Sequence, residues 1–153
     1  MSAKNKRWSR RDFLRTIGIT GAGSLLAPAL PLAAATDKTL KVPQRPFGKT
    51  GANVPILSLG TTVDIASNQL MLRQAVKWGV AYWDTAPSYQ WGKSEKGFGK
   101  YFGKYPQDRQ KIFLVTKSGA WTTKGMTKEL NESLERMKTD YIDLFFVHGI
   151  SDI

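Results

Sequence analysis

The chain has 153 residues, 41% hydrophobic and 23% charged, a balance that fits one globular domain and excludes collagen-like, disordered and disulfide-scaffold classes. With no cysteine it holds neither a disulfide nor a thiolate metal site, and no metal site is expected. The net charge of +11 is shared between the first 35 residues, where Lys4, Lys6, Arg7, Arg10, Arg11 and Arg15 face only Asp12, and the remainder, where 17 basic residues face 11 acidic ones. The later basic residues are scattered rather than interleaved with aromatics, so solvated lysines on outer helix faces are expected and a nucleic-acid partner is not.

Residues 1–35 have the three regions of an export signal. A basic stretch ends in Ser9-Arg10-Arg11-Asp12-Phe13-Leu14, a mildly apolar stretch runs from Ile17 to Leu32, and Ala33-Ala34-Ala35 supplies small residues for cleavage. A transmembrane helix would want about 20 predominantly apolar residues. This stretch is shorter and is loosened by Gly18, Gly21, Gly23, Pro28 and Pro31. The paired arginines, with Ser before and Phe-Leu after, resemble the twin-arginine (Tat) consensus. That resemblance implies a folded passenger handed to the Tat translocase and delivered to the periplasm, with its cofactor acquired beforehand. An uncleaved signal acting as a membrane tether is the alternative.

Residues 36–45 read as a linker, and 46–153 as the folded part. Val54 to Gly60 is an apolar run stopped by glycine and predicts a strand. A helix follows over Gln69–Trp78, with Asn68 as N-cap, Leu72, Ala75 and Val76 as its apolar stripe and Gly79 as its stop. The unit then repeats. Val80–Asp84 predicts a buried-type strand, and about Ser94 to Phe102 a helix. Lys111–Lys117 is a third strand, Thr127–Met137 its helix with Leu130, Leu134 and Met137 on one face, and Tyr141–His148 a fourth strand. Such alternation predicts βαβ units and a parallel sheet. No Gly-x-Gly-x-x-Gly follows the first strand, which argues against a Rossmann-type sheet.

A polar or ionisable residue stands at or just beyond the end of every predicted strand: Thr61 and Thr62, Asp84, Lys117 and His148. In a (β/α)8 barrel these ends share the mouth where active sites are built. His148 is the only histidine, and a single histidine ending a buried strand is more often a satisfied core residue than a ligand. Four strand ends in succession, of complementary chemistry, are harder to explain as packing.

These residues also carry a family resemblance. Asp84-Thr85-Ala86-Pro87-Ser88-Tyr89, Gly92-Lys93-Ser94-Glu95, the run from Ser133 to Leu144 containing Asp140-Tyr141-Ile142-Asp143-Leu144, and Leu57-Ser58-Leu59-Gly60-Thr61 resemble, in order, motifs of the aldo-keto reductases. The likeness extends from about Arg45 to His148. It implies an α/β fold, a (β/α)8 TIM barrel of which this chain supplies the first four βα units only. It implies an NAD(P)H-dependent oxidoreductase that reduces an aldehyde or ketone, with a small-molecule carbonyl as substrate.

The family's catalytic tetrad falls on Asp84, Tyr89, Lys117 and His148. Hydride addition leaves an alkoxide that needs a proton, which Tyr89 would give. A free phenol ionises near pH 10, and a neighbouring cation favours its phenolate, the part expected of Lys117. Asp84 would hold Lys117, and His148 would bond the substrate carbonyl. Gly60, Thr61, Thr62 and Asp84 would meet the nicotinamide ribose of NADP(H), the coenzyme the resemblance implies, with NAD(H) as the alternative. Trp91 and Trp121 are expected to line the substrate pocket, a core position for each being the competing reading.

Two departures stand out. Gln90 and the bulky Trp91 follow the tyrosine where the family usually has glycine, and the chain stops at Ile153, short of the family's loops for the adenine and phosphate end. A truncated barrel, inactive alone or pairing with a second half-barrel, is the expectation. Two alternatives from other classes are a nucleotide-sensing binding module on the same fold and a redox protein with a further iron–sulfur domain.

Overall fold

A computed structural model describes residues 41–149. The expected export signal, and the linker up to residue 40, lie outside the described residues. Two sheets are present: an antiparallel hairpin of β1 (Gln44–Pro46) and β2 (Asn53–Pro55), and a parallel sheet of β3 (Ser58–Gly60), β4 (Tyr82–Asp84), β5 (Phe113–Ser118) and β6 (Leu144–Val147) in that spatial order. Helices α1 (Gln69–Trp78), α2 (Lys93–Lys104) and α3 (Thr123–Met137) connect successive parallel strands. The alternation of strands and helices thus builds the expected α/β arrangement. Among the described residues no helix is long and apolar enough to cross a membrane.

The first predicted strand is corrected. Val54–Gly60 is two strands that belong to different sheets, because the chain bends at the exposed Ile56 and Leu57. Before the bend, Val54 pairs with Arg45; after it, Leu59 pairs with Trp83. Gln44 and Arg45, at the end of the expected linker, are part of the hairpin. Its turn residue Phe47 lies edge-on to Tyr82 and Phe113, which stack on each other at 5.2 Å, placing aromatic packing at the N-terminal end of the parallel strands.

Along β4 and β5 the side chains alternate, as a pleated strand requires. Trp83 and Leu114 are fully buried in the core beneath the helices, where Trp83 stacks on Phe98 and Phe102 of α2. Tyr82, Asp84, Phe113 and Lys117 occupy the alternate positions and face the other side. Full burial of a Trp, Phe or Leu side chain contributes about 1.5–3 kcal/mol or more, so this outer layer holds the sheet to its helices.

Helix α1 has the predicted bounds. Gly79 ends it with φ +75°, and its N–H donates back to the carbonyls of Ala75 and Val76, a left-handed cap that costs glycine little. Asn68 precedes the helix without capping it; its Nδ2 donates to the Asp64 carbonyl at 2.8 Å instead. Helix α3 begins one turn before Thr127, since Thr122 Oγ1 accepts from Gly125 N at 3.1 Å. The fourth strand starts at Leu144 rather than Tyr141, because the Tyr141 carbonyl is taken by Arg109. Helices α2 and α3 meet at Gly99, where a β-carbon would run into the Arg136 carbonyl.

Candidate active site

The parallel strands end together, and their ends gather four of the residues singled out above. Asp84 closes β4, Lys117 is the penultimate residue of β5, and His148 directly follows β6. Tyr89 begins a short 3₁₀ turn in the loop after β4. The Lys117 ammonium is the hub. Its Nζ donates to Asp84 Oδ1 at 2.9 Å and Oδ2 at 2.8 Å, to the Thr85 carbonyl at 2.8 Å and to Tyr89 Oη at 3.1 Å. It also lies 4.6 Å from the centre of the Tyr89 ring.

An ammonium has three protons and no lone pair. The carboxylate, the carbonyl and the phenol oxygen therefore consume all three, and Tyr89 is an acceptor in its bond with Lys117. Its own hydroxyl proton has no protein acceptor among the described residues. The His148 imidazole stands edge-on to Tyr89, ring centres 6.0 Å apart and planes at 81°. Its backbone N–H is bound to the Ser118 carbonyl at 2.7 Å, while its ring nitrogens have no protein partner among the described residues. A proton donor and a second hydrogen-bonding group thus face one space.

The residues expected at the nicotinamide end separate into two kinds. Gly60 is exposed, and a β-carbon there would meet nothing within 4 Å, so the space above it is open. Thr62 is exposed, with its carbonyl taking the Gln90 side-chain amide at 2.7 Å. Asp84 stays a quarter exposed while both its oxygens hold Lys117. Thr61 is different. It is fully buried and its hydroxyl donates to the Asp84 carbonyl at 2.6 Å, so it faces the protein interior and not a ligand.

Trp91 and Trp121 are 95% and 77% exposed, which excludes the core reading for both. Trp91 and Gln90 both have positive φ, 55° and 52°, in the left-handed region that costs a non-glycine residue about 1–2 kcal/mol. The glycine usual at position 90 would adopt this conformation freely; here the Gln90 amide bond to Thr62 helps hold it. Backbone strain of this kind clusters at functional sites.

Sequence reasoning missed what stands behind these groups. Ser94, Thr85, Glu95 and Thr116 are buried, and their side chains are linked to the strands of the site. The Gly-x-Ser-Glu stretch was visible as a motif, yet no spacing rule tells which strand a buried hydroxyl will reach.

The model of the aldo/keto reductase family matches residues 56–152. The oxidoreductase YrpG of Bacillus subtilis is 32% identical over 127 residues, covering 68% of this chain and 39% of YrpG. The Schizosaccharomyces pombe aldo-keto reductase yakc [NADP(+)] is 33% identical over 97 residues, 56% of this chain and 28% of its own length. Among solved structures, an aldo-keto reductase from Pseudomonas aeruginosa superposes with a TM-score of 0.64 at 28% identity, over 76% of this chain and 51% of its own. The chain therefore spans about half or less of each of these proteins. On the family match and the strand-end geometry together, it belongs to the aldo/keto reductase family.

Proposed function

We propose that this chain carries the proton-donating side of an NAD(P)H-dependent carbonyl reductase. The observation that carries the reading is the Tyr89 hydroxyl, which accepts from Lys117 and so keeps its own proton for an oxygen in the mouth. A dihydronicotinamide would supply the hydride when bound, and the exposed Gly60, where a β-carbon would meet nothing within 4 Å, leaves room beside the site. As the carbonyl carbon gains the hydride, its oxygen takes the Tyr89 proton, leaving an alcohol. The phenolate left behind is stabilised by the adjacent Lys117 ammonium, which Asp84 holds in place. The His148 imidazole donates to or orients the same oxygen. In this reading Trp91 and Trp121, exposed on the loops after β4 and β5, line the pocket of an aldehyde or ketone substrate.

NADP(H) is the preferred coenzyme in this reading, supported by the relative named for NADP(+). The four parallel strands and the three helices between them correspond to the start of a (β/α)8 barrel, consistent with the half of the solved neighbour that the chain covers. Residues 1–35, with Arg10 and Arg11, support export of the folded protein to the periplasm through the Tat translocase.

Coenzyme consumption by the complete protein, offered NADPH with a panel of aldehydes and ketones, tests the reaction. Tyr89→Phe should lower turnover by about a hundredfold or more, the usual worth of a positioned acid. Turnover that survives this change intact removes Tyr89 from the mechanism. Export is tested separately, by fractionating cells that express the chain with Lys in place of Arg10 and Arg11. Unchanged export of that variant would rule out the twin-arginine route.

A further inference from the structure

The backbone ladder between β4 and β5 pairs residues only as far as Asp84 with Val115, and the Thr85 N–H donates to the Val115 carbonyl just beyond it, at 2.9 Å. Lys117 lies two residues past Val115. The ladder therefore does not set how Lys117 sits against Asp84 and Thr85. Two neighbouring residues in the first turn of α2 reach both sides of that gap.

On the β4 side, Ser94 Oγ donates to Thr61 Oγ1 at 2.7 Å, and Thr61 Oγ1 donates to the Asp84 carbonyl at 2.6 Å. The one Ser94 hydroxyl proton is then used, so Ser94 accepts in its 2.7 Å bond with Thr85 Oγ1. The hydroxyls form a directed run from Thr85 through Ser94 and Thr61 to Asp84. On the β5 side, Glu95 Oε1 accepts from Thr116 Oγ1 at 2.7 Å, and Glu95 Oε2 from Arg136 Nε at 2.6 Å. Thr116 directly precedes Lys117. Thr61, Thr85, Glu95 and Thr116 are fully buried and Ser94 nearly so, which keeps all five out of the mouth.

We propose that Ser94 and Glu95 are positioning residues, a clamp that acts through Thr61 and Thr116 to hold Lys117 against Asp84, Thr85 and Tyr89. This rests on the reading of Lys117 and Tyr89 as the reacting pair. Fixing two strands from one helical turn removes the freedom that would otherwise let the ammonium drift by the fraction of an ångström at which charge-assisted bonds weaken.

The test uses the full chain and needs no turnover. Thr61→Val and Thr116→Val each remove one hydroxyl at nearly constant shape, and Thr61→Ser and Thr116→Ser restore it. Acylation of lysine amines by acetic anhydride, read by peptide mass spectrometry, gives the Lys117 rate relative to the exposed Lys128. Because a protected amine is labelled only on opening of its contacts, the relative rate should rise about threefold or more in the valine variants. It should return to the wild-type value in the serine variants, which loss of packing alone would not produce. A wild-type Lys117 rate in folded Thr61→Val and Thr116→Val overturns the proposal. If both valine variants fail to fold, Ser94→Ala is read against the same two outcomes. Absence of coenzyme turnover bears on the reaction and leaves this measurement standing.

Discussion

Two cation–carboxylate pairs sit at opposite ends of the same parallel sheet. At the C-terminal end Lys117 meets Asp84; at the N-terminal end Arg109 meets Asp143 at 3.0 Å. Their burial is nearly the same, 13% and 25% exposed side chains for the first pair and 8% and 25% for the second. What differs is where the cation's protons go. Arg109 donates to the carbonyls of Ile112 and Tyr141 and to Thr139 Oγ1 as well as to Asp143, and it lies 3.7 Å from the Tyr141 ring centre. Asp143 in turn takes the Leu114 N–H at 2.8 Å. Every one of these partners is a fixed acceptor or donor of the fold. Lys117 instead spends one proton on a phenol whose own hydrogen has no protein acceptor among the described residues. The two pairs thus differ in the group at the end of the cation's hydrogen bonds and not in burial, and on the proposed function only the Lys117 pair serves the reaction.

The largest effect expected is at the structural pair. Arg109→Met takes the guanidinium away from the Ile112 and Tyr141 carbonyls, Thr139 Oγ1 and Asp143, and should cost about 3–5 kcal/mol of stability, read as a lower urea midpoint. A midpoint unchanged by this substitution would mean that water replaces the guanidinium and that the pair holds little.

Lys117→Met should split the other way. It abandons one carbonyl and one carboxylate, and its stability cost should be smaller, about 1–3 kcal/mol. Turnover per folded molecule should fall by about a hundredfold or more if Tyr89 depends on the cation. Equal losses of stability in both variants, with turnover intact in the lysine one, would erase the distinction between the two ends.

A smaller effect is expected in alkali. Burial, and then the bond it donates to Asp108 at 2.9 Å, push the Tyr101 phenol well above its ordinary value. A raised folded-state value means that the protonated form is the stabilising one. Stability should be complete below about pH 10, where the unfolded phenol titrates, and should decline as pH climbs beyond it. Urea melts across that range should show the decline, and Tyr101→Phe should flatten it.

Several of these features were legible in the sequence because they depend on neighbours along the chain. Helix α1 was bounded by an apolar stripe and a glycine that takes the left-handed cap. Asp84, Lys117 and His148 could be placed at strand ends because each follows a short apolar run. The division of Val54–Gly60 was not legible, since a continuous apolar run carries no mark of a change in strand partner. The early start of α3 turned on one threonine oxygen, and the late start of β6 on a guanidinium 32 residues away. Thr61 is the instructive case. Its position beside Gly60 suggested a ligand contact, yet its hydroxyl turns inward, and which way a strand-end side chain faces depends on what packs behind it.

By itself the sequence determined the order of strands and helices, the family, and which residue types stand where the strands finish. Local periodicity and short motifs are enough for that, since each is written within a few consecutive residues. Only the tertiary structure decided that Lys117 exhausts its three protons on Asp84, Thr85 and Tyr89, that the Tyr89 proton has no acceptor among the described residues, and that Ser94 and Glu95 stand behind the pair. Those facts rest on hydrogen-bond distances between residues about 20 to 33 positions apart in the chain. Such distances are set by packing a helix across two strands, which no stretch of sequence specifies alone.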